Sequence, residues 1–320
     1  MISRRLFLEG GVILGLGALC SGALAGCAGN NPTNDAGNAG NQQSDSDDGA
    51  QSSQVSSGAS DTSSAGQEYG ITDVEGYTFR PGNSTDRGFV VDEAIEDPSG
   101  RTIHFSLHVP DAYDGSTPFA LYIACPGWEG LYFQGVGANL SEDYPFEALN
   151  YVSDLIVAST QLDDWGEQSA QDVISLTQWL IGAFNIDDDR VYLSGCSGGG
   201  ETISLVLGMR PKLYRRALHT ISRWDGDIST LVQSRTPVYM AIGEHDDYYG
   251  PGPVRNSYNR IVAAYRNEGL SDEKIHDLVR LDVKPTSYFT GHGFEAGASE
   301  HGAGGYLFAH DDSIMGWLFQ

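Results

Sequence analysis

The sequence has 320 residues and a formal net charge of −25, with 18 Lys and Arg against 43 Asp and Glu. So acidic a chain repels nucleic acid and anionic lipid surfaces, which excludes DNA and RNA as partners. Hydrophobic residues make up 40% of the chain and aromatic residues 10%, which is normal for a globular protein and excludes complete disorder. Four cysteines are too few for a fold built on disulfides.

The first 27 residues have the layout of an export signal. Arg4 and Arg5 precede a glycine-interrupted apolar stretch, and their surroundings resemble a twin-arginine export motif. Leu24-Ala25-Gly26-Cys27 resembles a bacterial lipobox, in which the cysteine is acylated and becomes the first mature residue. We therefore expect a lipid anchor on Cys27 that holds the protein at the outer face of the cell membrane. A plain secretory signal with an incidental cysteine is the alternative.

Residues 28–68 differ sharply in composition from the rest of the chain. They are mostly Asn, Ser, Gly, Asp, Gln and Ala, with six acidic residues, no basic residue and Val55 as the one sizeable apolar side chain. Such a segment buries too little apolar surface to offset the entropy of ordering. It is predicted to be a disordered tether that joins the signal to a globular domain over residues 69–320.

Short apolar runs alternate with helical stretches in the predicted domain. Residues 89–95 and 102–109 are typical of an antiparallel pair joined by an Asp-Pro-Ser-Gly turn. The buried strands are predicted at 119–124, 155–160, 191–194, 217–221 and 238–242, and the helices at 169–184, 199–208, 253–267 and 311–319. Alternating strands and helices predict an α/β fold with a mainly parallel central sheet flanked by helices, preceded by an antiparallel hairpin.

A predicted strand over residues 191–194 runs into Gly195-Cys196-Ser197-Gly198-Gly199 and then into a helix. This is the context of a nucleophile elbow, where glycines on both sides of a serine permit a sharp, strained turn. The pattern therefore predicts Ser197 as a nucleophile at the carboxyl edge of the sheet. A simple tight glycine turn is the alternative.

With this motif, residues 87–320 resemble the α/β-hydrolase family, and within it the prolyl-oligopeptidase-like serine esterases. The resemblance implies that the acid follows the nucleophile in the chain and precedes the histidine. It places the acid after a later strand, at Asp246 in Gly-Glu-His-Asp-Asp, where it would accept a hydrogen bond from the histidine. Asp247 and Asp225 are the alternatives.

The resemblance also implies a catalytic histidine about fifteen residues before a Trp-Leu-Phe element in the last helix. His301 lies sixteen residues before Trp317 and is the predicted base. His292 and His310 also have the right order in the chain, although His310 is expected to begin the last helix already. The glycines after His301 predict a flexible loop around it.

The same resemblance implies an oxyanion hole made by the N–H of Gly198 and the N–H of Trp128. Trp128, Trp165 and Trp224 each follow a predicted strand and are expected to wall the substrate cleft, with burial in the core as the alternative. Two further cysteines, Cys125 and Cys196, are expected near the oxyanion hole as reduced, buried thiols rather than as a disulfide.

Together these features predict a surface-tethered serine hydrolase that needs no cofactor or metal. Esterase is favoured over peptidase because the sequence has no large N-terminal propeller of the kind that true prolyl oligopeptidases carry. The expected partners are a small-molecule or carbohydrate ester, with acyl or feruloyl groups as candidates, and the membrane through the lipid anchor alone. A serine peptidase or amidase with the same residues and a non-catalytic glycan-binding lipoprotein are the alternatives.

Overall fold

The computed structural model describes residues 69–320. The predicted export signal, the lipid anchor on Cys27 and the tether over residues 28–68 lie outside these residues.

Ten strands of the described chain form one sheet. They are β1 (Thr78–Arg80), β2 (Ser84–Asp86), β3 (Phe89–Glu96), β4 (Thr102–His108), β5 (Phe119–Cys125), β6 (Leu155–Gln161), β7 (Ile186–Cys196), β8 (Arg216–Thr220), β9 (Val238–Gly243) and β10 (Val279–Lys284). The strand order is β1-β3-β4-β6-β5-β7-β8-β9-β10, with β2 also paired to β3. From β6 to β10 all neighbours are parallel, whereas β1 to β4 pair antiparallel and β4 joins β6 antiparallel.

Of the helices that the structure describes, six lie between the parallel strands in the chain and three follow the last strand, and together they cover both faces of the sheet. They are α1 (Tyr144–Ala148), α2 (Glu167–Ala183), α3 (Gly198–Met209), α4 (Ile228–Ser234), α5 (Pro251–Asn267), α6 (Asp272–Leu278), α7 (Thr286–Gly291), α8 (Glu300–Ala309) and α9 (Asp312–Leu318). Short 3₁₀ turns lie at Trp128–Gly130, Tyr132–Gln134, Ala138–Leu140 and Pro211–Leu213.

Two apolar cores, one on each face of the sheet, hold the helices in place. The first contains buried side chains of α2 to α6, including Trp179 of α2 and Tyr265 of α5. The second contains buried side chains of α1 and α7 to α9, including Phe308 of α8 and Trp317 of α9. The central strands are covered on both sides, and all seven residues of β5 are buried. This explains why their sequences are continuous apolar runs.

The predicted fold class is confirmed: a mostly parallel sheet lies between helices and follows an antiparallel pair, β3 and β4. The predicted strands and helices are all present, with ends that differ by a few residues. The strands β1, β2 and β10 and the helices α1, α4, α6, α7 and α8 had not been predicted. Within residues 69–320, no helix is both long and apolar enough to cross a membrane.

Candidate active site

Ser197 lies in a sharp turn between the end of β7 and the start of α3. Its backbone has φ 52° and ψ −119°, a conformation that is rare and strained for a residue other than glycine. The turn is possible because glycines allow the backbone to pass very closely. A Cβ atom on Gly195 would lie 2.3 Å from the carbonyl oxygen of Gly199, and one on Gly199 would lie 2.0 Å from that of Cys125. This close packing presents the Ser197 hydroxyl at the carboxyl edge of the sheet.

The hydroxyl of Ser197 is the first member of a hydrogen-bonded series of three side chains. Ser197 Oγ lies 2.9 Å from His301 Nε2, and His301 Nδ1 lies 2.8 Å from Asp246 Oδ2. The carboxyl of Asp246 is buried after the end of β9, and its Oδ1 accepts the backbone N–H groups of residues 248, 249 and 250 at 3.1, 2.8 and 3.1 Å. These bonds fix the carboxylate that orients the imidazole ring.

His301 lies in the first turn of α8, and the predicted flexible loop around it is wrong. Ser299 caps the helix by accepting the N–H of Gly302 at 3.0 Å. Asp247, the alternative acid, does not contact the His301 ring by hydrogen bond; its Oδ1 accepts the Ser299 hydroxyl at 2.8 Å and the His301 backbone N–H at 3.1 Å. Asp247 therefore anchors the start of the helix that carries the imidazole.

Asp225, His292 and His310 form their hydrogen bonds with groups other than Ser197. Asp225 pairs with Arg223 at 3.1 Å. The His292 ring is exposed and bonds a backbone carbonyl four residues earlier at 2.7 Å. His310 follows the last residue of α8 instead of beginning the last helix, and its Nε2 lies 2.9 Å from Asp143 Oδ2.

The loop after β5 passes directly beside Ser197. A Cβ atom on Gly127 would lie 3.0 Å from Ser197 Cβ, and the next residue, Trp128, begins a 3₁₀ turn with its side chain 52% exposed. Gly198 is the first residue of α3, where backbone N–H groups have no partner within the helix. The two predicted oxyanion donors, the N–H groups of Trp128 and Gly198, thus belong to the two backbone segments that flank Ser197.

A cavity of about 480 Å³ opens above Ser197 and His301. Its aromatic lining comes from Trp128, Trp165, Tyr248, Tyr249 and Tyr306, and its acidic lining from Glu129, Glu142 and Asp143. Among the described residues that line it, none is Lys or Arg. The cavity therefore favours neutral or cationic groups over anionic ones.

Two of the tryptophans predicted to wall the cleft do so, and the third does not. Trp165 packs so closely on the elbow that a Cβ atom on Gly198 would lie 2.0 Å from its ring. Trp224 does not line the cavity. It is buried in the core, where its ring lies 5.5 Å from that of His219 and its Nε1–H donates to a backbone carbonyl at 3.1 Å.

Both cysteines near the elbow are buried and free. Burial raises the pKa of the Cys125 thiol to about 12, and burial together with the nearby carboxyl of Glu142 raises the pKa of Cys196 well above its usual value. Neither thiol is ionised near neutral pH, so neither is a reactive thiolate.

Several residues that line the cavity were not predicted from the sequence, and Glu142 and Tyr249 are two of them. Burial raises the pKa of Glu142 to about 7, and this carboxyl accepts the N–H of Gly127 at 2.8 Å. Tyr249 lies beside His301, with the two rings 5.6 Å apart, and its hydroxyl donates to Glu201 of α3. The one available signal for Tyr249 was its position just after Asp246 and Asp247.

Among residues 69–320, no group of three or more His, Cys, Asp or Glu is arranged to hold a metal ion.

Comparisons with known proteins agree with this architecture. The model of the prolyl oligopeptidase family matches residues 159–260. No curated protein sequence matches the chain significantly.

Among solved structures, a thermostable esterase is 19% identical, with a TM-score of 0.56 over 72% of this chain and 62% of that one. Oligopeptidase B from Leishmania major is 16% identical, with a TM-score of 0.46 over 77% of this chain and 37% of that one. Acetyl xylan esterase 1 from Thermoanaerobacterium sp. JW/SL YS485 is 14% identical, with a TM-score of 0.45 over 69% of this chain and 86% of that one. The chain thus spans less than two thirds of the length of the first two. The likeness to the thermostable esterase shows a shared fold.

Proposed function

We propose that this chain, which has the α/β-hydrolase fold and matches the prolyl oligopeptidase family over residues 159–260, cleaves carboxylic esters through an acyl-enzyme on Ser197. The observation that carries the proposal is the series of hydrogen bonds from Ser197 Oγ through the His301 ring to Asp246, at 2.9 and 2.8 Å. A serine that faces a cavity and bonds an oriented imidazole is the arrangement that activates a hydroxyl nucleophile.

In the proposed reaction, His301 Nε2 takes the proton of Ser197 while Oγ attacks the ester carbonyl. Asp246 accepts the Nδ1–H of His301 and stabilises the imidazolium that forms. The N–H groups of Gly198 and Trp128 donate to the oxyanion. His301 then protonates the leaving alkoxide, and a water molecule, activated by the same imidazole, releases the acid and restores Ser197.

The lining of the cavity supports a neutral, hydroxyl-rich substrate. Carboxylates such as Glu129 accept hydrogen bonds from hydroxyl groups, and exposed aromatic rings such as Trp128 and Tyr306 pack against apolar ring faces. An acyl group with its own carboxylate would be repelled by the acidic lining. We therefore favour acyl or feruloyl esters of carbohydrate as substrates.

A fluorophosphonate probe on the full-length protein in detergent tests the reaction class, with Ser197→Ala as the matched control. We expect labelling of the wild-type protein and none of the variant. If the folded wild-type protein is not labelled, the proposal of a serine hydrolase is contradicted, and a non-catalytic glycan-binding protein becomes the better interpretation.

Matched substrates test the choice between ester and amide, because the prolyl oligopeptidase match favours peptidase as the second candidate. The same acyl group is offered as an ester and as a peptide amide, together with acetylated or feruloylated sugars. We expect kcat/KM for the best ester to exceed that for the amide, and the opposite order would establish a peptidase.

We further propose that the protein is exported and anchored to the outer face of the cell membrane through acylated Cys27, as the lipobox-like sequence suggests. Expression in a bacterial host with a labelled fatty acid tests this proposal. We expect the wild-type protein to carry the label and to be found in the membrane fraction of the cells, and we expect Cys27→Ala to carry no label. Equal labelling of the two proteins would contradict the anchor.

A further inference from the structure

The carboxyl group of Glu142 lies beside the two segments that meet at Ser197, the loop after β5 and the elbow. Its Oε1 accepts the N–H of Gly127 at 2.8 Å, and Cys196, the residue before Ser197, lines the same cavity. A Cβ atom on Gly127 would lie 3.1 Å from Glu142 Oε1 and 3.0 Å from Ser197 Cβ. The loop at Gly127 is therefore in close contact with both the carboxyl group of Glu142 and Ser197.

This contact bears on the oxyanion hole because Trp128, the proposed second donor, is the next residue after Gly127. The carbonyl of Gly127 is engaged in the 3₁₀ turn, where it accepts the N–H of Gly130 at 3.1 Å. The N–H of Gly127 has Glu142 as its acceptor. Both polar groups of Gly127 are thus fixed, which sets the direction of the following peptide bond.

We propose that Glu142 is a positioning residue that holds Gly127, and through it the amide of Trp128, in register with Ser197. The inference rests on the proposed serine hydrolase. It assigns to Glu142 no direct contact with the reacting atoms.

The charge state of Glu142 matters because it lies beside the place where negative charge develops. The titratable groups around it are Glu129 of the loop after β5, Asp143 and Tyr144 next to it in the chain, Tyr122 and Cys125 of β5, Cys196 of the elbow, and His301 across the cavity. Burial and the neighbouring carboxylates raise the pKa of Glu142 to about 7. The neutral carboxyl still accepts the Gly127 N–H, whereas the ionised form opposes the oxyanion. Glu142 therefore supports the oxyanion hole best at and below neutral pH, where its carboxyl group is neutral.

Three variants test the proposal by steady-state hydrolysis of a neutral ester, with kcat and KM measured separately. Glu142→Gln keeps an acceptor for Gly127 without charge, and Glu142→Leu removes the acceptor at similar size. Glu147→Gln, in the short helix α1 that follows Glu142 and outside the cavity, is the matched control. Circular dichroism and thermal unfolding establish that each variant is folded.

We expect Glu142→Leu to lower kcat about 100-fold, as for a lost oxyanion donor, with little change in KM. Glu142→Gln should retain most of the activity at about pH 6, and its kcat relative to wild type should rise about tenfold by about pH 9, because the wild-type carboxyl ionises over this range. Glu147→Gln should follow the wild-type profile.

Equal kcat in Glu142→Leu and wild type, or parallel pH profiles of Glu142→Gln and wild type, would overturn the inference. If Glu142→Leu does not fold, Glu142→Ala, which removes the same acceptor with less bulk, takes its place. An inactive wild-type protein that fails to react with the fluorophosphonate would instead refute the proposed function, so the two failures are distinguishable.

Discussion

The replacement Asp246→Asn probes the geometry of the site with a change of one atom. Asp246 Oδ1 accepts three backbone N–H groups, and its Oδ2 faces His301 Nδ1 at 2.8 Å. The amide oxygen of asparagine can replace only Oδ1, because the three N–H groups need an acceptor. The amide NH₂ must therefore face His301 and donate to Nδ1.

This reversal changes the tautomer of the imidazole ring. With Nδ1 as acceptor, the proton of His301 moves to Nε2, which lies 2.9 Å from Ser197 Oγ and can then no longer accept the serine proton. A triad held in the wrong tautomer loses about 10⁴-fold in kcat, which corresponds to about 5 kcal/mol of transition-state stabilisation. Because the backbone contacts to Oδ1 are kept, we expect little loss of stability.

The matched control is Asp247→Asn. Asp247 Oδ1 accepts the Ser299 hydroxyl and the His301 backbone N–H, and an amide oxygen can accept both. We expect this variant to lose less than about tenfold in kcat, since no tautomer depends on it. Hydrolysis of a neutral ester by both variants provides the comparison. An equal or larger loss in Asp247→Asn would refute the assignment of Asp246 as the acid.

Two further predictions concern stability. Burial raises the pKa of Glu93 to about 8, and within residues 69–320 its carboxyl has no hydrogen-bond partner. The folded protein therefore keeps a proton that the unfolded chain releases above about pH 4.5, so stability falls as the pH rises towards 8. Glu93→Gln lacks this titration, so its free energy of unfolding in urea, relative to that of the wild type, should rise by about 3 kcal/mol from about pH 5 to about pH 8. A difference that stays constant with pH would show that the pKa of Glu93 is not raised by burial. Gly199→Ala should lower the free energy of unfolding by about 3 kcal/mol or more, because its Cβ would overlap the Cys125 carbonyl. Gly252→Ala in α5 is the control, since its Cβ would have nothing within 4 Å, and we expect it to be neutral or slightly stabilising in the same assay.

The central strands of the sheet were predictable because both of their faces are buried, which makes their sequences continuous apolar runs. The edge strand β10 was not, because its sequence, Val-Arg-Leu-Asp-Val-Lys, is only partly buried and mixes charged with apolar residues. Edge strands have one neighbour and commonly carry charges, so they resemble loops in sequence.

The helix α8 was missed for a different reason. Its glycines argue against a helix by propensity, but a Cβ atom on Gly304 would lie 2.7 Å from Ile221 Cγ2. Close packing of the helix against the second core therefore requires glycine, and tertiary contact outweighs propensity. No local pattern reveals such a contact.

Some residues of the candidate site could likewise be predicted from the sequence and others could not. Ser197, Asp246 and His301 were predictable in chain order because the elbow motif fixes the first and the resemblance orders the others. Glu142 was not predictable, since in so acidic a chain nothing local separates a buried carboxyl from a solvated one. Trp165 and Trp224 look alike in sequence, and only the tertiary structure shows that Trp165 lines the cavity whereas Trp224 is buried in the core.

Ser197 and His301 are separated by 104 residues, and Asp246 lies between them in the chain. The helix that carries His301 packs into the same core as α9, which ends at Leu318. During synthesis, the nucleophile and the acid therefore emerge from the ribosome well before the base, and the base reaches its place only when the last helices close the core. Such long-range closure is slow compared with local folding. With the proposed function, Ser197 therefore becomes reactive towards a fluorophosphonate probe only when folding is complete, and labelling during a synthesis time course measures that moment.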